Sequence, residues 1–185
     1  TALAAWLFAR SAESEFLLRF EDLDTATARR EHEDGQRRDL ERFGLDWDGE
    51  PVRQSERLER YEDAIADLGA AGLTYRCWCS RREIREAASA PHVHAGHYPG
   101  TCRRLTAAEI AEREASDKPP ALRLRTTHPE VTITDRLHGE HAEVVDDVVL
   151  RRGDGTPAYN LVVVVDDHAQ GVEEVVRADD LLAST

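Results

Sequence analysis

Methionine is absent from the 185 residues, and only one of the 24 basic residues, Lys118, is a lysine. Phosphate chemistry that depends on a lysine must therefore use Lys118 or residues outside this span. Without methionine, Thr1 is not a natural start. A first helix already under way at residue 1 and no terminating signal at Ser184-Thr185 add to the expectation of a trimmed chain. Cysteine is scarce too: three residues, an odd number, all between Cys77 and Cys102, which argues against a secreted disulfide scaffold. No apolar run approaches the roughly 20 residues needed to cross a bilayer, and no signal-peptide pattern precedes the first helix. A cytoplasmic protein without membrane contact is expected. With 37 acidic residues and a formal net charge of −13, the chain cannot hold nucleic acid by bulk electrostatics and could do so only through a local basic patch.

What is present suffices for one sizeable core, with 41% hydrophobic residues. Leu3, Trp6 and Leu7 stand at helical spacing over residues 2–10. Phe16 to Phe20 predicts a short strand that hands over to Glu21, Asp22 and Asp24. A charged surface helix is expected over 25–43, with Gly44 at its C′ position. Gln54-Ser55 can cap the next helix, whose stripe Leu58, Tyr61, Ile65 and Leu68 runs to about Gly72. Leu73 to Tyr75 begins a strand that leads into Cys77. This alternation favours an α/β architecture.

Beyond Cys77, Ser80…Glu83 and Thr106…Glu109 each fit a capping box and predict two short helices. Between them lies a loop with His92, His94 and His97, and Asp117 to Pro120 reads as a linker. Residues 121–125 and 131–135 alternate as half-exposed antiparallel strands. Asp154-Gly155 is a turn. It feeds Tyr159 to His168, whose run of four valines predicts a strand buried on both faces. Asp166, Asp167 and His168 would then lie just beyond its carboxyl end, where open α/β sheets keep their ligand crevice. A second short run, Val175-Val176, delivers Arg177 and then Asp179-Asp180 in the same way.

Cys77 and Cys79 are badly spaced to bridge each other but can converge with Cys102 on one ion. A structural zinc wants a fourth ligand, for which chemistry alone nominates His97, His94 or His92. The ion would be structural, since this strand-poor segment has little core of its own. Arg19 with Glu21, Asp22 and Asp24 is either a solvated strand end or part of a site. Tyr159, Asn160, Asp167, His168 and Arg177 form another group. An arginine can clamp a carboxylate and Glu21 can hold an ammonium group, a combination suited to a free amino acid.

Leu18-Arg19-Phe20-Glu21-Asp22-Leu23-Asp24 with Arg29-Arg30, and Arg151 to Leu161 followed by Val163-Val164-Val165-Asp166-Asp167, resemble the signatures of the glutamyl-tRNA synthetase family of class I synthetases. The resemblance covers nearly the whole chain. Asp166-Asp167-His168 with Gln170-Gly171-Val172, and Tyr98-Pro99-Gly100-Thr101-Cys102, resemble its short branch, which lacks an anticodon-binding domain. That branch transfers glutamate to the queuosine base of tRNA(Asp).

The resemblance implies a Rossmann-like class I synthetase catalytic domain, α/β, with a small zinc-binding insertion. Residues 1–76 would form the first part of the catalytic domain and 77–120 the insertion, with 121–185 as strands returning to the catalytic domain. Glu21, Tyr159 and Arg177 would bind glutamate, Glu21 engaging the amino group. Cys77, Cys79, Tyr98 and Cys102 would hold the zinc. ATP with Mg²⁺, glutamate and tRNA(Asp) are the implied partners of a monomer, and no residue is assigned as a catalytic acid or base. Members of the short branch activate glutamate without tRNA, whereas glutamyl-tRNA synthetases require it.

Three departures qualify the expectation. The HIGH-type motif is expected before Thr1 and the KMSKS-type loop after Thr185, so the span alone should not form adenylate. Ala178 stands where the family has glycine. Arg104 is not a departure from the short branch: it takes a position where genuine glutamyl-tRNA synthetases often have histidine. The alternatives are a truncated glutamyl-tRNA synthetase and a non-catalytic zinc- and tRNA-binding module.

Overall fold

A computed structural model describes residues 1–88, 98–128, 130–178 and 181–182. His92, His94, His97, Asp179 and Asp180 lie outside the described residues. The elements in chain order are α1 (Ala2–Ser11), β1 (Arg19–Phe20), α2 (Arg30–Arg42), β2 (Val52–Arg53), α3 (Leu58–Ala70), β3 (Thr74–Cys77), α4 (Arg81–Ala88), α5 (Ala107–Glu114), β4 (Ala121–Leu124), β5 (Glu130–Asp135), β6 (Gly139–Val144), β7 (Val149–Arg151) and α6 (Tyr159–Gln170). They form two compact units, Thr1–Arg60 with Val165–Thr185, and Tyr61–Val164. None of the described helices is long and apolar enough to cross a membrane.

In the first unit β1 and β2 pair in parallel, Arg19 opposite Val52 and Phe20 opposite Arg53. The expected strand over 16–20 is thus regular only at its last two residues. Upstream, Asp48 holds the chain instead. Its carboxylate accepts from the Phe16 N–H at 2.8 Å and from Arg10 at 2.7 Å. Phe20 and Leu45 are buried. Glu33 of α2 is buried because Arg53 donates to it at 2.8 Å. Gly44, at φ 74°, ends α2, where Leu45 N–H reaches back to the Leu40 carbonyl at 3.0 Å. Gln54 does not cap a helix but opens a 3₁₀ turn, Gln54–Glu56, directly after β2.

The second unit carries an antiparallel sheet in the order β3-β4-β7 and a separate hairpin of β5 and β6. Tyr61 and Ile65 of α3 are buried, while Leu58, expected in the same stripe, is 46% exposed. Both capping boxes form: Ser80 and Glu83 exchange hydrogen bonds at 2.6 and 3.2 Å, as do Thr106 and Glu109 at 2.8 and 3.3 Å. Each contributes about 1 kcal/mol to its short helix. Cys77 pairs with Ala121 on the last rung between β3 and β4. The chain therefore leaves the sheet and returns to it at adjacent positions.

The valine run is a helix, which corrects the strand expected at Leu161–Val165. Residues 172–178 likewise carry no strand. Consecutive valines favour a strand by propensity, but a short apolar run does not distinguish a buried strand from a buried helix. The burial along α6 has helical period: Leu161, Val162 and Asp166 are buried, whereas Val164 is 64% exposed. Ala158 starts the helix by accepting from Leu161 and Val162, at 3.0 and 3.1 Å. At the other end Gly171, at φ 67°, lets Val172 N–H reach the Asp167 carbonyl at 2.9 Å. Asp166, Asp167 and His168 therefore belong to the last turns of a helix and do not follow a strand.

Candidate functional site

In the first unit the carboxyl end of β1 carries Glu21, Asp22 and Asp24, and the turn after β2 carries Gln54, Ser55 and Arg57. Asp22 ties the two loops, accepting from the Ser55 N–H and hydroxyl at 2.8 and 2.5 Å. Asp166 ties them a second time. Its carboxylate lies 3.1 Å from Arg57 Nε and 3.8 Å from Arg19 Nε, and accepts from Gln54 Nε2 at 3.3 Å. Arg19 also donates to Asp167 at 2.7 Å and to the Gln170 side chain at 3.1 Å. Gln54 and Asp166 are almost wholly enclosed, 1% and 0% exposed. Sequence reasoning missed Gln54 and Arg57, and left Asp166 without a role. No local signal links residues more than 100 positions apart.

Glu21 is open to solvent, yet the surrounding protein desolvates its carboxyl enough to push its pKa up. Arg19 opposes that rise, while Asp167 and Asp166 add to it. Arg177 is half-buried in the segment after α6. Tyr159 opens α6 in the second unit and is 53% exposed, with Asn160 exposed beside it. The three expected glutamate contacts are thus divided, Glu21 and Arg177 in one unit and Tyr159 in the other.

The expected metal ligands in the second unit come together. The Sγ atoms of Cys77, Cys79 and Cys102 lie within 4.8 Å of one another. Tyr98 Oη is 3.3 Å from Cys77 Sγ and 3.8 Å from Cys79 Sγ, and the sulfurs of Cys79 and Cys102 are 3.5 Å apart. Donors sharing a tetrahedral zinc at ordinary bond lengths are roughly 3.5–3.8 Å apart, so this set fits such an ion. Cys77, Tyr98 and Cys102 are buried, and Tyr75, Ile84, Leu105 and Ile110 pack around the cluster.

A rigid surround holds that cluster. Arg123 stacks on the Tyr98 ring at 3.8 Å and donates to the Asp147 carbonyl at 2.6 Å. The Asp147 carboxylate accepts from Tyr75 at 2.6 Å, Arg103 at 2.7 Å and the Thr126 N–H at 2.9 Å. Asp146 accepts from the Tyr98 N–H at 2.7 Å. Burial, then Cys77, pushes the Cys79 thiol up to about 12. For Cys77 burial also acts upward, but Tyr98, the Cys79 N–H and Arg123 together outweigh it and lower the pKa. Burial and Cys77 hold the Tyr98 phenol neutral; a divalent cation would reverse that preference.

The whole chain, residues 1–185, matches the family model for tRNA synthetases class I (E and Q), catalytic domain. It is 60% identical over 185 residues to a glutamyl-Q tRNA(Asp) synthetase of Nocardia farcinica, covering 100% of this chain and 59% of that protein. It is 53% identical to a glutamyl-Q tRNA(Asp) synthetase of Cutibacterium acnes, covering 100% of this chain and 52% of that one. A glutamate–tRNA ligase of Geobacter sulfurreducens is 40% identical, with 100% of this chain and 40% of the relative covered. The chain therefore spans little more than half the length of these first two relatives. Among solved structures, a glutamate tRNA ligase from Elizabethkingia meningosepticum in complex with its amino acid superposes with a TM-score of 0.78 at 26% identity, over 99% of this chain and 41% of that one.

Proposed function

This chain belongs to the catalytic-domain family of the class I tRNA synthetases (E and Q), and from that premise we propose that the protein containing it activates glutamate with ATP and Mg²⁺ and transfers it to the queuosine base of tRNA(Asp). It would act as a monomer. Glu21 engages the substrate's ammonium group, while Arg177 and Tyr159 address the rest of the amino acid. The chemistry is mainly positioning and charge stabilisation at the α-phosphate, which needs few acid or base groups.

The observation that carries the queuosine reading is the fourth donor of the cysteine cluster. Tyr98 Oη stands within 3.8 Å of both Cys77 and Cys79 sulfurs, as the short branch requires. The names of the relatives from Nocardia and Cutibacterium support it. In this reading residues 77–120 form an insertion stapled by a structural zinc on Cys77, Cys79, Tyr98 and Cys102. The adjacent exit and return at Cys77 and Ala121 support an insertion at this point. The ion would add folding energy to a segment with little core, without joining the reaction.

A second reading keeps the activation step and changes the acceptor to tRNA(Glu). The glutamate–tRNA ligase from Geobacter and the structural neighbour favour it. Incubating the full-length protein with ATP, labelled glutamate and tRNA(Asp) separates the two. Label should enter tRNA(Asp) that contains queuosine and not tRNA(Asp) that lacks it. Labelling of tRNA(Glu) instead would replace this proposal with the second reading.

A further inference from the structure

Arg19 is the residue of the first unit whose surroundings ask most for an account. It lies two positions before Glu21, so the alternation of an extended chain brings both side chains to one side. Arg19 is the nearest candidate to neutralise Glu21, yet no ion pair or hydrogen bond joins them among the described residues. The guanidinium is turned to α6, with Nη1 2.7 Å from Asp167 and Nε 3.8 Å from Asp166. Its side chain is 18% exposed.

Stability does not explain this arrangement. Burying charges costs several kcal/mol per ion, and apolar residues of equal volume often stabilise as well or better. Asp166 is fully enclosed and shares Arg19 with Asp167 and Arg57 with no other carboxylate described near it. The two arginines and two aspartates sum to zero formal charge. Glu21, a carboxylate at the strand end, makes no ion pair or hydrogen bond within that set, and Arg19 acts on it only at longer range. A cationic ligand group is the natural partner for such a carboxylate.

We infer that Asp167 and Asp166 are positioning residues that hold Arg19 off Glu21, keeping the Glu21 carboxylate available to the ammonium group of an amino-acid substrate. Asp167 provides the short contact. Asp166 faces the Nε end at 3.8 Å and, through Gln54 and Arg57, ties the turn after β2 to the same helix. Loss of Asp167 removes the short charged contact and leaves Arg19 only the neutral Gln170 and the more distant Asp166, so that it can close on Glu21 and compete with the substrate. The raised pKa of Glu21, due first to desolvation of its carboxyl, with smaller contributions from both aspartates, agrees with this arrangement.

The identity of the ligand rests on the glutamate-activating reading, but the contact itself can be read without it. In full-length protein carrying ¹³C-labelled glutamate residues, loss of the Asp167 charge lowers the Glu21 titration by itself, so the contact is read as a difference: Asp167→Asn should lower it further when Arg19 is present than in an Arg19→Gln background, because only then can Arg19 pair with Glu21. In ATP–pyrophosphate exchange the same variant should raise the KM for L-glutamate about tenfold, the scale of a lost charge-assisted hydrogen bond, with kcat within about twofold. Adding Arg19→Gln should recover most of that loss, since it removes the competitor. A merely structural role predicts the opposite, further damage on the second substitution. Asp167 is partly exposed, so the variant should fold, and its melting curve checks that. A Glu21 shift on Asp167→Asn that is the same with and without Arg19, or a double variant no better than the single one in KM, overturns the inference. Absence of exchange in the parent protein would instead refute the proposed function and leave the titration readable.

Discussion

Gln54 Nε2 donates to Asp166 at 3.3 Å, joining the turn after β2 to the third turn of α6 across 112 residues of sequence. Both side chains are enclosed, and Asp166 also faces two guanidinium groups. The carboxylate is therefore the point through which a helix organises the ends of two parallel strands.

Removing that carboxylate should be costly. Asp166→Ala leaves Arg57 and Gln54 buried with no acceptor, and breaking a buried pair in this way costs about 3–5 kcal/mol. Asp166→Asn keeps the shape and one acceptor oxygen and should cost less. Urea unfolding followed by circular dichroism gives both values; equal and small losses would mean that the network contributes little to the fold.

The helical reading of the valine run has its own test in a pair of alanine substitutions. Val162 is 1% exposed and Val164 is 64% exposed. Val162→Ala should destabilise by about 2 kcal/mol through lost burial and the cavity left behind. Val164→Ala should be neutral or stabilising by a few tenths of a kcal/mol, since alanine favours an exposed helix. A strand buried on both faces would make the two losses similar.

Much of the fold was legible from local chemistry. Gly44 and Gly72 mark helix ends because the left-handed conformation, at φ 74° and 71°, suits glycine. The capping boxes at Ser80 and Thr106 reveal their helices because both partners lie within one turn. The helix α6 was hidden because its four valines carry strand propensity, while the buried stripe that makes it a helix includes an aspartate. Its reason for burial, Gln54, Arg57 and Arg19, is distant in sequence. Three of the metal donors were legible from cysteine spacing. Tyr98 came only from resemblance, since three histidines nearby are the chemically obvious choice and lie outside the described residues.

Acid stability should depend on Asp48. Its pKa is held below 3.8, first by the Phe16 N–H and then by Arg10. A depressed carboxylate contributes stability that is complete above its unfolded pKa and is lost as pH falls through the folded one. The contribution should therefore begin to fall near pH 4, the ordinary aspartate range, and be gone only once the pH is below the folded value. Thermal melts of Asp48→Asn between neutral and acid pH should show a lower melting temperature at neutral pH and a shallower decline on acidification. Parallel curves would assign the acid sensitivity elsewhere.

Gly153 tests the seating of the linker. An added Cβ would come 2.8 Å from the Pro119 carbonyl oxygen, and that atom is backbone. Gly153→Ala should destabilise by about 1–3 kcal/mol, as overpacking does. Gly35, with nothing within 4 Å of its would-be Cβ, is the control. In mid-helix, Gly35→Ala should stabilise by up to about 1 kcal/mol.

Metal analysis tests the cysteine cluster. Cys77→Ser should lose stoichiometric zinc, and Tyr98→Phe should weaken retention while His97→Ala leaves it unchanged. Chelation should lower the melting temperature of the parent and leave that of Cys77→Ser unmoved. Zinc retained in Cys77→Ser would remove the assignment, and loss in His97→Ala with retention in Tyr98→Phe would transfer the fourth position to histidine.

The most direct test of the account is ATP–pyrophosphate exchange by the full-length protein with L-glutamate and no tRNA. The proposal predicts robust exchange, lost on Glu21→Gln through a raised KM for glutamate. Exchange that appears only when tRNA(Glu) is added, or no exchange under either condition, contradicts it.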